Sequence, residues 1–349
     1  MIVIVTVFRS NNYGSLLQAK VLGDVLSQYE EVRFLDNGKR SFWEWGLVKG
    51  VFVAAVKQLK LKKALFLANK LLQNFFGWRK LKTVADVPRN RDVTFVLGSD
   101  EIWNVTKANC DYAEFWGEGL PGKLVSYAPS INNSTLDALR KREFVERNLQ
   151  RMSYISVRDV RSKQIVSDLT NKDIELVLDP TMLKPLEYYI NKKIFFPKVG
   201  GYIAVYVFDS RMSQSERETL KLYARSKCLK LVSVGGWNDW CDCSLPAINQ
   251  NPFLHYINAE YVVTNTFHGT AFAINFHKQF VTYGRKSSKI TELINMFHLE
   301  DRNVSDIDPN ALNRIMSKRI NYRVVEELLE KYRKESLNFI EKSLSKETD

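Results

Sequence analysis

The sequence predicts an α/β protein made of two Rossmann-like, doubly wound domains. Short apolar runs alternate with helical segments along almost the whole chain, the pattern of βαβ units with parallel strands. This alternation pauses once, in a polar, lysine-rich stretch between Asp179-Pro180 and Gly201. A chain of 349 residues is also long for one hydrophobic core and suits two. We therefore expect an N-terminal domain over residues 1–185, a C-terminal domain over 200–310 and a closing helix over 320–346.

Strands are predicted where short apolar runs stand between turn residues. They are Ile2–Val7, Val32–Leu35, Thr94–Leu97, Leu124–Tyr127, Tyr154–Val157, Ile174–Leu178, Tyr202–Val207, Lys230–Val234, Tyr261–Thr264 and Phe280–Tyr283. Helical periodicity predicts Ser15–Gln28, Thr135–Gln150, Val160–Asp168, Gln214–Arg225, Pro252–Ile257, a helix from His268, Ser288–Phe297 and Tyr322–Leu344. In such folds ligands bind outside the carboxyl ends of the strands, so function is expected in the loops that follow them.

Composition narrows the class of protein. Four cysteines make no disulfide framework and suit a reducing compartment. The N-terminal MIVIVTVF lacks a basic region before it and predicts a buried strand rather than a signal peptide. No run approaches the roughly 20 apolar residues of a membrane-spanning helix. We expect a cytoplasmic protein, peripheral at the inner face of the membrane.

The net charge of +12 is concentrated in one segment. Between Trp43 and Lys82, nine lysine or arginine residues stand against one acidic residue, Glu44. The rest of the chain is nearly balanced, so no nucleic-acid surface is expected. Apolar residues recur at helical spacing within the segment, which predicts amphipathic helices on an anionic membrane surface. Alternatively, the segment is a helical hairpin packed on the first domain with solvated lysines.

Three strand-end loops of the N-terminal half carry candidate binding residues. Asn12, Tyr13 and Gly14 open a helix and indicate either an anion site or a capped turn. Ser99, Asp100 and Trp103 suit a sugar, with a carboxylate for hydroxyls and a ring for the C–H face; a helix cap with a core tryptophan is the alternative. The small residue Ser130 would let a ligand approach the backbone.

Two charged or titratable groups stand at strand ends. Arg158 must find a partner if it is buried, either a phosphate or carboxylate ligand or a structural pair with Asp159 or Asp179. His268, at a strand-to-helix transition with Thr266 and Gly269, is placed for proton transfer or anion binding. Neither a dinucleotide fingerprint nor a P-loop is present. Cys241 and Cys243 lack a second pair of thiols, so we expect no metal site.

These segments resemble a known family. NNYGSLLQAKVL, GSDEIWN, SYAPS, ISVRD, VLDPT and NPFLHYINAEYVVTNTFHGTAFAINFHKQF, in this order, are similar to polysaccharide pyruvyl transferases over about residues 7–300. One departure is Asn265-Thr266, where the family often has Asp-Ser. The resemblance implies a GT-B-like pair of Rossmann-like domains facing a cleft, with a C-terminal helix returning to the first.

The same resemblance implies phosphoenolpyruvate as donor and a saccharide, often lipid-linked, as acceptor, joined as a pyruvate ketal in surface polysaccharide biosynthesis. That chemistry requires cations, an acid and a base, but no metal or other cofactor. We assign Arg158 and Arg285 to the donor anions, with Lys278 and Lys289 as weaker ligands. His268 is assigned as acid, base or phosphate ligand, and Asp100 as base. The alternatives are a nucleotide-sugar glycosyltransferase and a non-catalytic scaffold of an assembly complex.

Overall fold

The computed structural model describes residues 1–8, 12–36, 63, 66–68, 81–88, 92–108, 110–189, 201–245, 252–284 and 287–345. Two compact units are present. Unit 1 contains residues 1–41, 77–183 and 330–349, and unit 2 contains residues 184–329 with the described residues of 42–76. Among the described residues, no helix has both the length and the apolar character needed to cross a membrane.

Unit 1 is built on a five-stranded parallel sheet in the order β3-β2-β1-β4-β5. A parallel pair, β6 and β7, lies beyond β5 and is tied to it by the bridge between Val125 and Tyr154. The strands are β1 (Ile2–Val5), β2 (Val32–Leu35), β3 (Thr83–Val84), β4 (Thr94–Leu97), β5 (Lys123–Ser126), β6 (Ile155–Val157) and β7 (Ile174–Leu176). The helices are α1 (Tyr13–Leu26), α2 (Leu136–Arg140), α3 (Glu143–Arg151) and α4 (Val160–Ser167).

Unit 2 repeats the same strand order. Its sheet, β10-β9-β8-β11-β12, is again entirely parallel. The strands are β8 (Tyr202–Tyr206), β9 (Lys230–Val234), β10 (Cys243–Leu245), β11 (Tyr261–Thr264) and β12 (Gln279–Thr282). The helices are α5 (Leu186–Tyr189), α6 (Gln214–Ser226), α7 (Pro252–Ile257), α8 (Phe267–Asn275), α9 (Ser288–Met296) and α10 (Pro309–Ser317).

The last helix, α11 (Tyr322–Leu344), begins in unit 2 and ends in unit 1. In unit 1 its Ser336 hydroxyl accepts a hydrogen bond from Leu178 N at 2.9 Å. Phe339 packs near Tyr127, with ring centroids 6.3 Å apart. The predicted return of the C-terminal helix to the first domain is confirmed, as is the prediction of two doubly wound α/β units.

Both sheets are buried on their two faces, as parallel sheets require. The central strands β1, β4, β8 and β11 are mostly buried and consist mainly of Val, Ile, Leu, Phe and Ala, with Tyr and Thr at the ends of β4, β8 and β11. Because crossovers between parallel strands are right-handed, this strand order puts the connections after the first and after the fourth strand on opposite faces of each sheet. The gap between these two strands, β1 and β4 or β8 and β11, is the switch point where such folds bind ligands.

Most of the basic segment 43–82 lies outside the described residues. Phe66, which is described, is buried, and its ring centroid lies 5.4 Å from that of Trp237 in unit 2. The predicted place of this segment was the N-terminal domain; its described residues 63 and 66–68 group with unit 2 instead. At least one apolar side chain of the segment is therefore used in packing.

Gly98, directly after β4, lies where two loops of unit 1 approach each other closely. Its φ is +126°, and a Cβ there would stand 2.0 Å from the carbonyl oxygen of Tyr127. We expect Gly98→Ala to lower the free energy of unfolding by more than about 3 kcal/mol, because strain and a backbone clash add. Gly119→Ala is the control, since φ is +73° but no atom lies within 4 Å. Urea denaturation should show that Gly119→Ala lowers the free energy of unfolding by only about 1 kcal/mol. Equal losses of stability in the two variants would contradict the predicted clash at Gly98.

Candidate active site

The switch point of unit 1 is organised by a buried hydrogen-bond network between the loops after β1 and β4. Thr6 Oγ1 donates to the carbonyl of Ser99 at 3.0 Å. Gln18 Nε2 donates to Thr6 Oγ1 at 3.2 Å, and its Oε1 accepts from Ser99 Oγ at 2.9 Å. These three side chains are buried. Ser99 therefore holds the loop in place. Its hydroxyl is not presented to a ligand, in contrast to the prediction.

Asp100 is held in place by this loop with part of its carboxylate accessible. Its φ is +72°, and its side chain is 13% exposed. Ser15 Oγ, in the first turn of α1, donates to Oδ2 at 2.5 Å. The amide of Glu101 donates to Oδ1 at 2.8 Å, and Arg158 Nη2 lies 3.4 Å from the same oxygen. Asp100 is thus an oriented acceptor at the edge of the sheet.

Arg158 joins the ends of three strands. Its side chain is 1% exposed; Nη1 lies 2.5 Å from Asp179 Oδ2, and Nη2 reaches Asp100. Burial alone would lower the pKa of Arg158, but Asp179 and then Asp100 more than offset this and raise it above its ordinary value. The other oxygen of Asp179 accepts from the amide and hydroxyl of Thr181. The structural pair with Asp179 is therefore present, and the guanidinium is almost completely shielded from solvent.

Two further predicted residues of unit 1, Trp103 and Ser130, are fully buried. Trp103 is buried, stacks on Trp116 with centroids 4.6 Å apart, and donates to the carbonyl of Phe115. The predicted sugar contact of Trp103 is wrong, because its faces and its N–H are used in the core. Ser130 is also fully buried and turns its hydroxyl to the amide of Asn132, so it offers no open surface.

The loop before α1 is a capped turn. Asn12 is the N-cap residue, and its Oδ1 accepts from the amide of Gly14 at 3.0 Å. That amide is consequently not available to an anion as long as the cap is in place. Tyr13 is the first residue of α1 and is half-buried. Of the two alternatives for this loop, the described residues show the turn.

In unit 2 the switch point is formed by the loop between β11 and α8. Thr266 caps α8, with its Oγ1 accepting from Gly269 N at 2.9 Å. A Cβ on Gly269 would meet Thr264 Oγ1 at 2.1 Å and Tyr206 Cδ1 at 2.8 Å. Only glycine lets the first turn of α8 pack this tightly on the strand ends. Asn265 Oδ1 accepts from Phe208 N at 2.8 Å, which ties this loop to the one after β8.

His268 lies in the first turn of α8. There the helix end carries a partial positive charge that favours anions. Its ring stacks on Phe272, with centroids 6.2 Å apart, and meets the edge of Phe267 at 5.6 Å. The residue is 6% exposed. Lys289 Nζ lies 6.0 Å from the Phe267 ring centroid, so a cation accompanies the imidazole at this edge.

Lys278 does not join this group. It precedes β12 at the amino end of the sheet, because Gln279 pairs with Tyr261, the first residue of β11. Its ammonium donates to the carbonyl of Ile257 at 2.9 Å, and burial lowers its pKa although Glu260 opposes the shift. The carboxyl end, where His268 stands, is the opposite edge. Arg285 lies outside the described residues.

The family model of polysaccharide pyruvyl transferases matches residues 12–287. The chain belongs to the polysaccharide pyruvyl transferase family. The match takes in the loops around Asp100, Arg158 and His268, and family membership makes the protein a transferase. No curated protein matches it in sequence.

Solved structures place the fold of this pyruvyl transferase among the GT-B-type proteins. The Staphylococcus aureus protein MnaA, solved with UDP, has a TM-score of 0.53 at 10% identity and covers 98% of this chain and 96% of its own. A Listeria monocytogenes protein named as a UDP-N-acetylglucosamine 2-epimerase has a TM-score of 0.50 at 10% identity, over 99% and 91% of the two chains. At such low identity these likenesses concern the fold alone.

Two residues of the pyruvyl transferase's unit 1 site were not predicted as such. Ser15 and Gln18 lie on one face of the first turns of α1, where a polar pair facing a buried strand end was the available signal. No group of three or more His, Cys, Asp or Glu with metal-binding geometry occurs among the residues the structure describes. The expectation of a metal-free reaction stays a prediction.

The Arg158–Asp179 pair can be tested by Asp179→Asn. The change leaves a buried guanidinium without its nearest carboxylate, so we expect the free energy of unfolding to fall by about 3 kcal/mol. Glu175→Gln is the control, because its ion pair with Lys342 is half-exposed and should be worth less than about 1 kcal/mol. Urea denaturation measures both. Similar small effects would mean that the Arg158 charge is balanced elsewhere.

Proposed function

We propose that this chain transfers a pyruvyl group from phosphoenolpyruvate onto two hydroxyls of a saccharide, as a cyclic ketal, in surface polysaccharide biosynthesis. The observation that carries the proposal is the position of His268. An imidazole in the first turn of α8 stands at the carboxyl edge of a parallel sheet in a chain of this family, and Lys289 lies over the ring of the preceding residue, Phe267. Such an edge offers helix N–H groups and cations to a small anion.

The proposed reaction balances without an oxidant or a reductant. Protonation of the methylene carbon of phosphoenolpyruvate makes its neighbour electrophilic, and a sugar hydroxyl forms a C–O bond there. The C–O bond to phosphate breaks with its electron pair, and a second hydroxyl closes the ring. The two hydroxyl protons end on the new methyl group and on the departing phosphate.

His268 is our candidate for moving a proton to the donor or for binding its phosphate. Histidine exchanges protons near neutral pH, and the N-terminus of α8 favours the developing phosphate charge. Lys289 supports the same anion. Arg285, known here only from the sequence, remains a proposed second cation. Lys278 is left out because it lies at the other edge of the sheet.

Asp100 is our candidate for the base that accepts a proton from the acceptor hydroxyl. Its carboxylate is partly exposed and is oriented by Ser15, Glu101 N and Arg158. Because Arg158 is buried between two carboxylates, we assign it a positioning role toward Asp100 rather than direct donor binding. A fixed carboxylate needs no reorganisation when the hydroxyl attacks.

The reaction class is tested by incubation with phosphoenolpyruvate and a panel of galactosides, N-acetylhexosamines and lipid-linked sugars. We expect phosphate release together with an acceptor mass gain of one pyruvic acid less one water. Phosphate release and mass spectrometry are both required, since hydrolysis of the donor alone releases phosphate. Glycosylation of the panel by nucleotide sugars, without any reaction of phosphoenolpyruvate, would refute the proposal.

His268→Ala is expected to lower kcat by about 100-fold or more, because a positioned acid or base contributes that much. His277→Gln is the matched control: that histidine is exposed and pairs with Glu326 at the surface. Steady-state kinetics and circular dichroism together separate a lost proton transfer from a lost fold. Equal activity of the two variants would remove His268 from the reaction.

We also propose that residues 43–82 hold the protein on the inner face of the membrane, close to a lipid-linked acceptor. The support is the nine-to-one excess of basic over acidic residues in this segment. Attraction of lysines to anionic headgroups supplies the affinity, on the order of 1 kcal/mol each. Phe66 makes no contribution to insertion, because it is buried against Trp237.

Co-sedimentation with liposomes measures this attraction. We expect binding to phosphatidylglycerol vesicles at low salt, release at high salt, and no binding to phosphatidylcholine. Replacing Lys57, Lys60 and Lys62 by Gln should weaken binding by about 100-fold. Replacing Lys227, Lys230 and Lys318 by Gln removes the same charge elsewhere and is the control. Absence of binding at low salt would sink the membrane proposal.

A further inference from the structure

An exposed aromatic ring stands at the switch point of unit 2. Phe208 lies two residues beyond β8 and is 46% exposed. Its neighbour across the switch point is the loop after β11, which leads into the helix of His268. Single exposed apolar residues are common on protein surfaces, so exposure alone does not indicate a binding site. What distinguishes Phe208 is how firmly it is held and what accompanies it.

The backbone of Phe208 is held by one side chain from across the gap. The buried Asn265 side chain accepts from Phe208 N at 2.8 Å and donates to Phe208 O at 3.2 Å. The next residue, Asp209, accepts from Trp240 Nε1 at 2.9 Å and pairs with Arg217 at 3.1 Å. The ring is therefore presented by a rigid support. Such pre-organisation lowers the entropic cost of binding a ligand.

A guanidinium lies over the same ring. Arg211 Cζ is 4.8 Å from the Phe208 ring centroid, a cation–π arrangement. Arg211 is itself exposed, and no ion pair found among the described residues includes it. The carboxylate of Asp209, the nearest acid in sequence, is already bound by Arg217 and Trp240. The exposure of Phe208 is measured with Arg211 in place, so much of the ring stays open.

We propose that Phe208 and Arg211 form a binding subsite for a sugar that carries a phosphate. The C–H face of a pyranose packs on an aromatic ring, and a guanidinium fork matches phosphate oxygens. Phosphoenolpyruvate has no ring and does not fit this description. Resting on the proposed function, the ligand is the phosphate-linked sugar of the acceptor; the binding itself requires neither phosphoenolpyruvate nor turnover.

Position supports this assignment over a purely structural one. Ligands of doubly wound folds bind at the switch point, and Phe208 and Asn265 are the residues that flank it in unit 2. Leu222 is even more exposed, at 61%, but lies on α6 away from the strand ends. It provides a matched surface control in the same unit.

The subsite is tested by binding to the full chain without donor. Galactose 1-phosphate and N-acetylglucosamine 1-phosphate are compared with their methyl glycosides and with inorganic phosphate, by calorimetry and saturation-transfer NMR. We expect the sugar phosphates to bind more tightly than either fragment, with saturation transferred to ring protons. A short-chain polyprenyl diphosphate sugar and a UDP-sugar distinguish a lipid-linked from a nucleotide source.

Variants assign the contacts. Phe208→Ala should lower the affinity for sugar phosphates about tenfold, whereas Phe208→Tyr keeps an aromatic ring at this position and should keep the affinity. Arg211→Gln should lower the affinity for the sugar phosphates about tenfold and leave the affinity for the methyl glycosides unchanged. Leu222→Ala should change nothing. Melting temperatures near that of the parent protein show that the loop has not been lost.

The proposal is overturned if inorganic phosphate binds as tightly as the sugar phosphates, or if Phe208→Ala leaves their affinity unchanged. It is also overturned if uridine monophosphate depends on Phe208 while the sugar phosphates do not. Failure of the proposed function is separate. A chain that binds sugar phosphates through Phe208 but never consumes phosphoenolpyruvate keeps the subsite and loses the pyruvyl transfer.

Discussion

One buried guanidinium holds the functional edge of unit 1 together. Arg158, at the end of β6, reaches Asp179 after β7 and Asp100 after β4, so a single charge links three strand ends. Removing that charge from water is costly, and the cost is offset only while both carboxylates remain close. Asp100 receives its orientation from the same arrangement, together with Ser15. In this unit, the same contacts therefore stabilise the fold and orient the candidate base, Asp100.

In unit 2 an uncharged side-chain amide connects the strand ends at the switch point. The strand order is identical, yet its switch point is closed by the amide of Asn265, which both accepts from and donates to the backbone of Phe208. A carboxylate there would have no hydrogen to donate and would face the Phe208 carbonyl. This gives a physical meaning to Asn265, which stands where the family often has an aspartate. A neutral side chain at position 265 also adds no negative charge next to the positive end of α8, where His268 stands, and this favours an anionic ligand.

The sequence predicted the framework well because parallel strands are short apolar runs whose burial does not depend on detail. Ten strands and the closing helix Tyr322–Leu344 stand where periodicity placed them, within a few residues. The edge strands Thr83–Val84 and Cys243–Leu245 were missed, since they are very short and lack an apolar run. Side-chain roles were harder. Trp103 is equally consistent with a sugar platform and a core residue until Trp116 is known to stack on it, and Lys278 required the strand register.

The charged groups at the carboxyl edges of the two sheets differ between unit 1 and unit 2. Among the described residues at the edge of unit 1, two carboxylates, Asp100 and Asp179, surround the guanidinium of Arg158, and Glu101 is paired with Lys107. These carboxylates would repel the phosphate and the carboxylate of the proposed donor, whereas a neutral hydroxyl would find an oriented acceptor in Asp100. Unit 2 instead presents a helix N-terminus with Lys289 beside it. A phosphate group and a sugar hydroxyl thus call for different surroundings, and the described strand ends of unit 2 and of unit 1, respectively, favour one of them.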